Sequence, residues 1–428
     1  MRDIGINLGS IVISLSSAVQ LASSSIGGHQ ERVSYIVWKM AKAAGISTVR
    51  VERAFSAALL HDIGALAPEE KIALHNSFDY EDVDLHCTLG SLLLDNLSFF
   101  SDIAEIVKFH HTPWSSWQAS AGNPVSFESQ MVCLADYVER LINRKKFILT
   151  QYQNIRAEIK SLSGSQFFPA IVDLFMEVSN KEEFWLDIVC PHLNSFLMTR
   201  GPLAKKEVEI DQLKAIGGLF RCAIDFRSRF TATHSAGVAA CASILARIYG
   251  FTDLEIKLME FAGDIHDIGK MAVSTHILEK PGKLSYEEMA HMKVHPYYTY
   301  QVFHSIENLS HVGEWAASHH ENLDGSGYPF RLKASQLGLA ARILKVSDIF
   351  TALSEDRPYR KGMDKDQVIK VIQEEKANGR LDANVVKILV DNYDGIFEFV
   401  SEKQAEAREF YEKNFSFYSG RTNRKVSF

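Results

Sequence analysis

Apolar residues recur at steps of three and four positions along most of this chain, which is the spacing of one face of an α-helix. The segments Val238–Tyr249 and Gln367–Glu375 show the pattern most regularly. Strand patterns are sparse, and no Gly-rich turns separate an alternating series of strands and helices. The sequence therefore predicts an all-α fold.

The chain repeats one series of histidines and aspartates, and this repeat sets its organisation. Each copy starts with a lone His, reaches a His-Asp-Ile-Gly segment 32 residues later, and continues with another lone His, a His-His pair and an Asp. The second lone His precedes the pair by 24 residues in both copies. The first copy consists of His29, His61, Asp62, His86, His110, His111 and Asp136, and the second consists of His234, His266, Asp267, His295, His319, His320 and Asp348. We therefore predict two tandem helical domains of one type.

The segment Thr199–Ile210 separates the two copies. It contains Arg200-Gly201-Pro202, which would break a helix, followed by a charged run. We therefore predict a first domain over residues 1–200 and a second over residues 201–428, in keeping with the length of 428 residues.

Composition narrows the class of protein. The chain is 46% hydrophobic and 23% charged, as in ordinary globular proteins, and its net charge of -7 argues against a binder of DNA or RNA duplexes. The apolar stretch Ile4–Ile26 is rich in Ser and lacks the basic leader of an export signal, so we expect a buried or half-buried helix and no membrane span. The five cysteines form no CxxC motif, which favours free thiols and a cytoplasmic location.

The repeated residues are of the types that bind transition metals. Imidazole and carboxylate together suit Fe, Mn or Zn, and one carboxylate can bridge two ions. If His266 and Asp267 lie on a helix, their side chains point about 100° apart and could serve neighbouring ions. Two ions about 3.5–4 Å apart can activate water and stabilise a leaving oxygen in phosphoester hydrolysis. A single His is usually a core or surface residue, but the same ordered set occurring twice indicates a metal centre.

Further motifs surround the second copy. They are HDIGK at His266–Lys270, KPGKL at Lys280–Leu284, HHENLDGSGYP at His319–Pro329 and DRPYR at Asp356–Arg360. With these motifs, the region from His234 to Gly362 resembles the HD-GYP family of the HD phosphohydrolase superfamily. The resemblance implies a helical protein that contains Fe or Mn and hydrolyses a cyclic dinucleotide.

The resemblance also implies a role for each matching residue. One metal would bind His234, His266, Asp267 and Asp348, and the other would bind Asp267, as a bridge, with His295, His319 and His320. Asp267 and Lys270 would be catalytic, and Lys270 would also contact a substrate phosphate. The other implied substrate-binding residues are Gly325, Tyr328, Arg357 and Arg360. The two arginines would clamp phosphate, whereas the glycine and the tyrosine would either shape their loop or contact the nucleotide.

Two positions depart from the family pattern. Some members hold a third ion through a Glu four residues before the first His, where this chain has Phe230 and, in the first copy, Ser25. We therefore expect two divalent transition metals, with Fe or Mn favoured. Asn322 stands where a basic residue is common after His-His-Glu, which leaves the base preference open.

The first copy resembles the HD fold without the GYP motif. Ala65 occupies the position of Lys270, and Thr112-Pro113-Trp114 follows the His-His pair in place of the Gly-Tyr-Pro loop. All seven ligand-type residues remain. We therefore predict a regulatory or weakly active domain that carries a candidate second metal site.

A GYP-less HD domain followed by an HD-GYP domain is similar in architecture to the bacterial 3′,3′-cyclic GMP-AMP phosphodiesterases. We predict a metal-dependent phosphodiesterase that converts 3′,3′-cyclic GMP-AMP, cyclic di-GMP or both to a linear dinucleotide with a 5′-phosphate. The alternatives are another HD phosphohydrolase, such as a nucleotidase, and a non-catalytic signalling module that binds a nucleotide. Whether the protein forms a homo-oligomer or binds a signalling protein partner stays open.

Overall fold

The computed structural model describes residues 5–21, 27–65, 83–97, 99–117, 123–227, 233–356 and 361–421. Within these residues the fold is all-α, as predicted. The strands described are β1 (Ile6–Asn7) and β2 (Glu207–Val208), which pair in a two-stranded sheet. Across the same ranges, no helix combines the length and the apolar character that a membrane span needs.

The described residues form two compact units. The first unit comprises Asn7–Glu207, and the second comprises Val208–Phe428 together with the residues up to Ile6. The helices of the first unit are α1 (Leu8–Gln20), α2 (His29–Ala43), α3 (Thr48–Leu60), α4 (Val83–Asp95), α5 (Ser101–Lys108), α6 (Pro124–Leu141), α7 (Tyr152–Ser161), α8 (Pro169–Val178), α9 (Glu182–Ile188) and α10 (Leu193–Arg200). Those of the second unit are α11 (Leu213–Arg227), α12 (His234–Tyr249), α13 (Asp253–Ile265), α14 (Thr275–Leu278), α15 (Tyr286–Met292), α16 (His295–Phe303), α17 (Ser310–Ala317), α18 (Leu339–Ser354), α19 (Lys365–Ala377), α20 (Ala383–Asp391) and α21 (Tyr393–Arg421). Short 3₁₀ turns cover Trp114–Ser116, Ile148–Thr150, Ile210–Gln212 and Ile268–Ala272.

Local sequence explains several helix ends. Helix α12 stops at Gly250, whose φ of 92° lies in the left-handed region that favours glycine. The next helix, α13, starts with a capping box in which the side chains of Thr252 and Glu255 each accept a hydrogen bond from the other residue's backbone N–H. These caps fix the turn that brings α13 back against α12.

Both units use the same packing scheme. In the first unit α2 packs against α3 and α6, and α4 packs against α5. In the second unit α12 packs against α13 and α18, and α16 packs against α17. Each central helix begins with the first His of its copy, His29 in α2 and His234 in α12. The sequence repeat is therefore also a structural repeat.

The apolar N-terminal stretch forms helix α1, most of which is buried. Side chains on every face of this helix, including Ile11, Val12, Ile13 and Leu15, are almost wholly inaccessible to solvent. A helix whose side chains are buried on every face, including Ser14 and Ser16, belongs inside a protein core. The expectation of a buried helix is confirmed for residues 8–20.

A glycine in each unit allows two backbone segments to touch. A Cβ atom at Gly269 would lie 1.9 Å from the carbonyl oxygen of His295, and one at Gly64 would lie 2.1 Å from that of His86. Any other residue would force the segments apart. The glycine of each His-Asp-Ile-Gly segment therefore positions that segment against the helix with the second lone His.

Candidate metal centres and active site

The structure brings together the seven predicted ligands of the second unit. They come from the start of α12, the end of α13, the start of α16, the turn after α17, and α18; the residues are His234, His266, Asp267, His295, His319, His320 and Asp348. The assumption that His266 and Asp267 both lie on a helix is wrong. Helix α13 ends at Ile265, and the backbone leaves the helical conformation at Asp267, where φ is -100° and ψ is 5°.

Six of these side chains form two groups that could each hold a metal ion. Ligand atoms within a group all lie within 4.8 Å of one another. The first group is His234, His266 and Asp348, and the second is His295, His319 and His320. Both contain only imidazole and carboxylate ligands, which suit divalent transition metals.

The carboxylate of Asp267 lies between the two groups. Its Oδ2 atom is 3.2 Å from Nε2 of His266, and its Oδ1 atom is 3.4 Å from Nε2 of His295. One oxygen therefore faces each group. This is the arrangement that a carboxylate bridging two ions requires.

Backbone hydrogen bonds orient three of the imidazoles. The Nδ1 atoms of His266, His295 and His319 each donate to a carbonyl oxygen three residues earlier, at 2.7, 2.7 and 2.6 Å. Each Nε2 atom is then the unprotonated nitrogen that can bind a metal. The Nε2 atom of His266 is buried and has no hydrogen-bond partner, as expected of a ligand whose partner is an ion.

Burial and charge set the ionisation that metal binding needs. Burial lowers the pKa of His295 to about 3 and that of His320 to about 4, so both rings are neutral near pH 7. Burial alone would raise the pKa of Asp267, but its neighbours His266 and Lys270 hold that pKa well below its usual range. The position between the two groups is therefore occupied by a carboxylate anion.

Sequence reasoning missed Glu355, which lies 3.1 Å from Nδ1 of His234 through its Oε1 atom. The Nε2 atom of the same ring lies 3.1 Å from Oδ1 of Asp348. Burial alone would lower the pKa of His234, but the charges of Glu355 and Asp348 raise it to about 10. The sequence feature that could have revealed Glu355 is its position seven residues after Asp348, close to two turns of a helix.

Lys270 lies at the edge of the centre. Its Nζ atom is 2.5 Å from Oδ2 of Asp267, and its side chain is 20% exposed. The ammonium group therefore faces the Asp267 carboxylate, while part of the lysine side chain remains exposed to solvent. An anionic substrate that approaches the centre would meet this positive charge.

Glu321, another residue that sequence reasoning missed, holds the predicted substrate loop in place. This loop follows the His-His pair and contains Gly325 and Tyr328. The buried carboxylate of Glu321 accepts hydrogen bonds from the backbone N–H groups of Phe330, Arg331 and Leu332 at 2.7, 3.0 and 3.0 Å. The sequence feature that could have revealed Glu321 is its position directly after the His-His pair. The carboxylate ties the loop to the turn that carries two metal-ligand candidates.

Two predicted substrate residues have clear structural roles in this loop. Gly325 has a φ of 82°, which other residues adopt at a cost. The ring of Tyr328 stacks on that of His320 with centroids 4.8 Å apart, and its backbone N–H donates to the carbonyl of His320. The predicted phosphate clamps, Arg357 and Arg360, lie outside the described residues.

The first unit also brings its seven predicted ligands together. The residues are His29, His61, Asp62, His86, His110, His111 and Asp136. Asp62 lies between two groups in the same way as Asp267, with Oδ2 3.4 Å from Nε2 of His61 and Oδ1 3.6 Å from Nε2 of His86. Glu139 lies 2.5 Å from Nδ1 of His29, as Glu355 lies beside His234.

The first unit lacks two features that surround the ligand groups of the second. Ala65, at the position of Lys270, is buried and supplies no charge. A 3₁₀ turn begins three residues after His111, where the second unit has its glycine-containing loop. The two centres therefore share a ligand arrangement and differ in their surroundings.

Comparison with known proteins places these units in a family. Two family profiles, each described as "HD domain", match residues 26–141 and 219–385. The chain is a tandem HD-domain protein. HD domains bind divalent metals, and each HD domain of this chain contains clusters with suitable ligands.

Curated relatives match all or part of the chain. It is 29% identical over 398 residues to "3′3′-cGAMP-specific phosphodiesterase 1" of Vibrio cholerae, a match that covers 90% of this chain and 92% of that protein. It is also 38% identical over 162 residues to a cyclic di-GMP phosphodiesterase of Pseudomonas aeruginosa, covering 38% of this chain and 39% of the relative.

A solved structure shares the fold of the tandem HD domains. The crystal structure of a cyclic GMP-AMP-specific phosphodiesterase of Vibrio cholerae, V-cGAP3, matches with a TM-score of 0.62 at 22% sequence identity. The match covers 91% of this chain and 98% of the other. The fold of this chain is therefore shared with that protein.

Proposed function

We propose that this protein is a cyclic-dinucleotide phosphodiesterase and that its second HD domain carries the activity. The position of the Asp267 carboxylate between two metal-ligand groups, with Lys270 beside it, carries the proposal. The named activities of the relatives support it. The substrates that we propose are 3′,3′-cyclic GMP-AMP, cyclic di-GMP or both.

We assign two divalent ions to the second HD domain. One would be held by His234, His266, Asp267 and Asp348, and the other by Asp267, His295, His319 and His320. Imidazole and carboxylate ligands suit Fe, Mn or Zn, and the resemblance to the HD-GYP family favours Fe or Mn. When bound, such a pair supplies an activated water and stabilises charge on the leaving oxygen.

Lys270 and Asp267 have complementary tasks in this proposal. Asp267 stays ionised and fixes the spacing of the two ligand groups. Lys270, whose ammonium group reaches solvent, contacts a nonbridging phosphate oxygen and balances the charge that grows there during attack. Arg357 and Arg360 hold the second phosphate of the ring, a task that suits guanidinium because it can donate two parallel hydrogen bonds.

The reaction adds one water across a P–O3′ bond of the cyclic substrate. The water oxygen joins phosphorus, the bond to O3′ breaks, and a proton ends on the released 3′-hydroxyl. Phosphate stays on the 5′ oxygen, so the first product is a linear dinucleotide with a 5′-phosphate. The substrate loop, which contains Gly325 and Tyr328 and is held by Glu321, would cover one side of this substrate.

The first HD domain has a regulatory or weakly active role in this proposal. It keeps the ligand arrangement but lacks the lysine and the glycine-containing loop. We assign the regulatory domain to residues 1–200 and the catalytic domain to residues 201–428. We further propose that the protein acts in the cytoplasm, either as a homo-oligomer or with a signalling partner.

The test is a side-by-side measurement of turnover on 3′,3′-cyclic GMP-AMP and cyclic di-GMP. Manganese or ferrous iron is supplied under reducing conditions, and products are resolved by mass. The double variant His266→Ala/Asp267→Ala serves as the inactive control. Turnover of neither substrate overturns the proposal: release of phosphate from nucleoside monophosphates would indicate a nucleotidase, and binding without turnover would indicate a signalling module.

A further inference from the structure

The first HD domain contains a cysteine at its metal-ligand cluster. Cys87 follows His86 on helix α4, and its side chain is buried, with 3% of its surface exposed. Its Sγ atom lies 3.6 Å from Nε2 of His86 and 3.6 Å from Nδ1 of His110. With His111, these residues form a group of four whose ligand atoms all lie within 4.8 Å of one another.

Two distances within this group match those between the ligands of a tetrahedral zinc ion. Zinc binds imidazole nitrogen at about 2.0–2.1 Å and thiolate sulfur at about 2.3 Å. Tetrahedral angles then separate two nitrogens by about 3.4 Å, and sulfur from nitrogen by about 3.6 Å. The Nε2 atoms of His86 and His110 are 3.4 Å apart, and Sγ of Cys87 is 3.6 Å from the former.

Hydrogen bonding leaves ligand lone pairs pointing into this group. The Nδ1 atom of His110 donates to the carbonyl of Val107 at 2.5 Å, so in the neutral ring Nε2 carries the lone pair. His86 is fully buried, and its Nε2 atom, 3.4 Å from Nε2 of His110, is the nitrogen that faces the group.

The thiol is a feature of the first HD domain. The corresponding residue in the second domain, after His295, is Pro296, which has neither a thiol nor any other ligand atom in its side chain. A fourth protein ligand closes a tetrahedral site, whereas catalytic zinc keeps one position for water. The added cysteine, and the presence of Ala65 where the second domain has Lys270, both fit an ion with a structural role.

We propose that the first HD domain binds one Zn²⁺ in a closed site formed by His86, Cys87, His110 and His111. Thiolate is a soft ligand that selects zinc over the Mn or Mg that oxygen ligands prefer. The ion links helix α4 to the turn after α5. The two HD domains therefore differ in the class of metal they bind as well as in activity.

Cobalt substitution of the full-length protein tests the site directly. A Co²⁺–thiolate bond gives a charge-transfer band in the near ultraviolet that imidazole and carboxylate ligands do not give. We expect this band in the wild-type protein and in His266→Ala/Asp267→Ala, which keeps the first domain intact. Absence of the band from both proteins would overturn the proposal without any change at Cys87.

Cysteine variants identify the thiol. Cys87→Ser should lose the band and bind about one zinc ion fewer per chain, because one of four ligands is gone. The matched controls are Cys133→Ser, at a buried cysteine of the same domain, and Cys190→Ser, at an exposed one. A band that persists in Cys87→Ser, or that disappears in either control, contradicts the assignment.

X-ray absorption at the zinc edge gives a measurement that does not depend on the folding of a variant. With the His266→Ala/Asp267→Ala protein loaded with one equivalent of zinc, we expect one sulfur neighbour at about 2.3 Å and three nitrogen neighbours at about 2.0–2.1 Å. A shell without sulfur would exclude the thiolate site.

Discussion

The carboxylate of Glu355 lies 3.1 Å from the Nδ1 atom of His234. Both side chains are buried, and the opposite ring nitrogen faces Asp348. In the first HD domain Glu139 lies beside His29 in the same relation. Such an outer carboxylate fixes the orientation of a ligand ring and raises its basicity. Both HD domains therefore support their first His through a residue outside the repeated set.

Replacing Glu355 by Gln should weaken metal binding in the second HD domain. The amide keeps the shape of the side chain but lacks the charge, and loss of such a partner typically costs about 10–100-fold in metal affinity. Competition with a chelator measures the change. Glu139→Gln is the matched control in the first domain, and it should leave the affinity of the second domain unaltered; equal effects there would contradict the assignment.

Metal affinity of the second HD domain should rise with pH. His234, with a pKa raised to about 10, carries a proton near neutral pH and must release it when a metal binds. His295 and His320 have lowered pKa values and are already neutral. Between about pH 6 and pH 8, affinity should increase about tenfold per unit. Chelator competition across this range checks the slope, and Glu355→Gln should flatten it by lowering the pKa of His234.

Asp267 and Lys270 should behave differently when each is changed to Ala. Asp267→Ala removes the carboxylate between the two ligand groups, so metal and turnover should be lost together, the latter by at least about a thousandfold. Lys270→Ala should keep the metal and mainly raise the KM for the anionic substrate. Elemental analysis alongside steady-state kinetics separates the two variants. Equal metal content would show that our assignment of roles is wrong.

The repeated residues were predictable because metal ligands leave a spacing in the sequence. The interval from His234 to His266 recurs from His29 to His61, and chance does not easily produce such a match. The helical fold followed from apolar periodicity in the same direct way. These features are encoded by residues whose positions along the chain are informative by themselves.

The supporting residues left no comparable signal. Glu355 follows Asp348 by seven positions, whereas Glu139 follows Asp136 by three, because each carboxylate reaches its His from a different point along the chain. The sequence indicated only a free thiol at Cys87, because the turn with His110 lies beside it only in the folded chain. These contacts depend on tertiary packing, which brings together residues distant in sequence.

The two HD domains should contribute unequally to activity. His266→Ala/Asp267→Ala should abolish turnover, since it removes one imidazole and the bridging carboxylate. The matched double variant in the first domain, His61→Ala/Asp62→Ala, should reduce turnover modestly or change its regulation. Rates on the cyclic dinucleotide with metal in excess provide the comparison. Equal losses would show that both domains are required for the chemistry.

Replacing Glu321 should weaken the backbone hydrogen bonds of the substrate loop without changing the metal content. Glu321→Gln offers one carbonyl oxygen in place of two carboxylate oxygens, so at least one of the three backbone N–H bonds is lost. The expected cost is about 1–3 kcal/mol of stability. We expect KM to rise while metal content stays unchanged. A loss of metal equal to that of Asp267→Ala would place Glu321 among the ligands instead.

The contacts at Gly64 and Gly269 have a consequence for how these domains tolerate mutation. In each domain, the distance between the His-Asp segment and the next histidine is set where one main chain rests on another. At each glycine the contact is between main-chain atoms, so this spacing depends on the missing Cβ atom more than on the size of the surrounding core side chains. Ligand spacing can therefore persist while the surrounding core diverges, and a domain can lose its catalytic surroundings long before it loses its metal geometry.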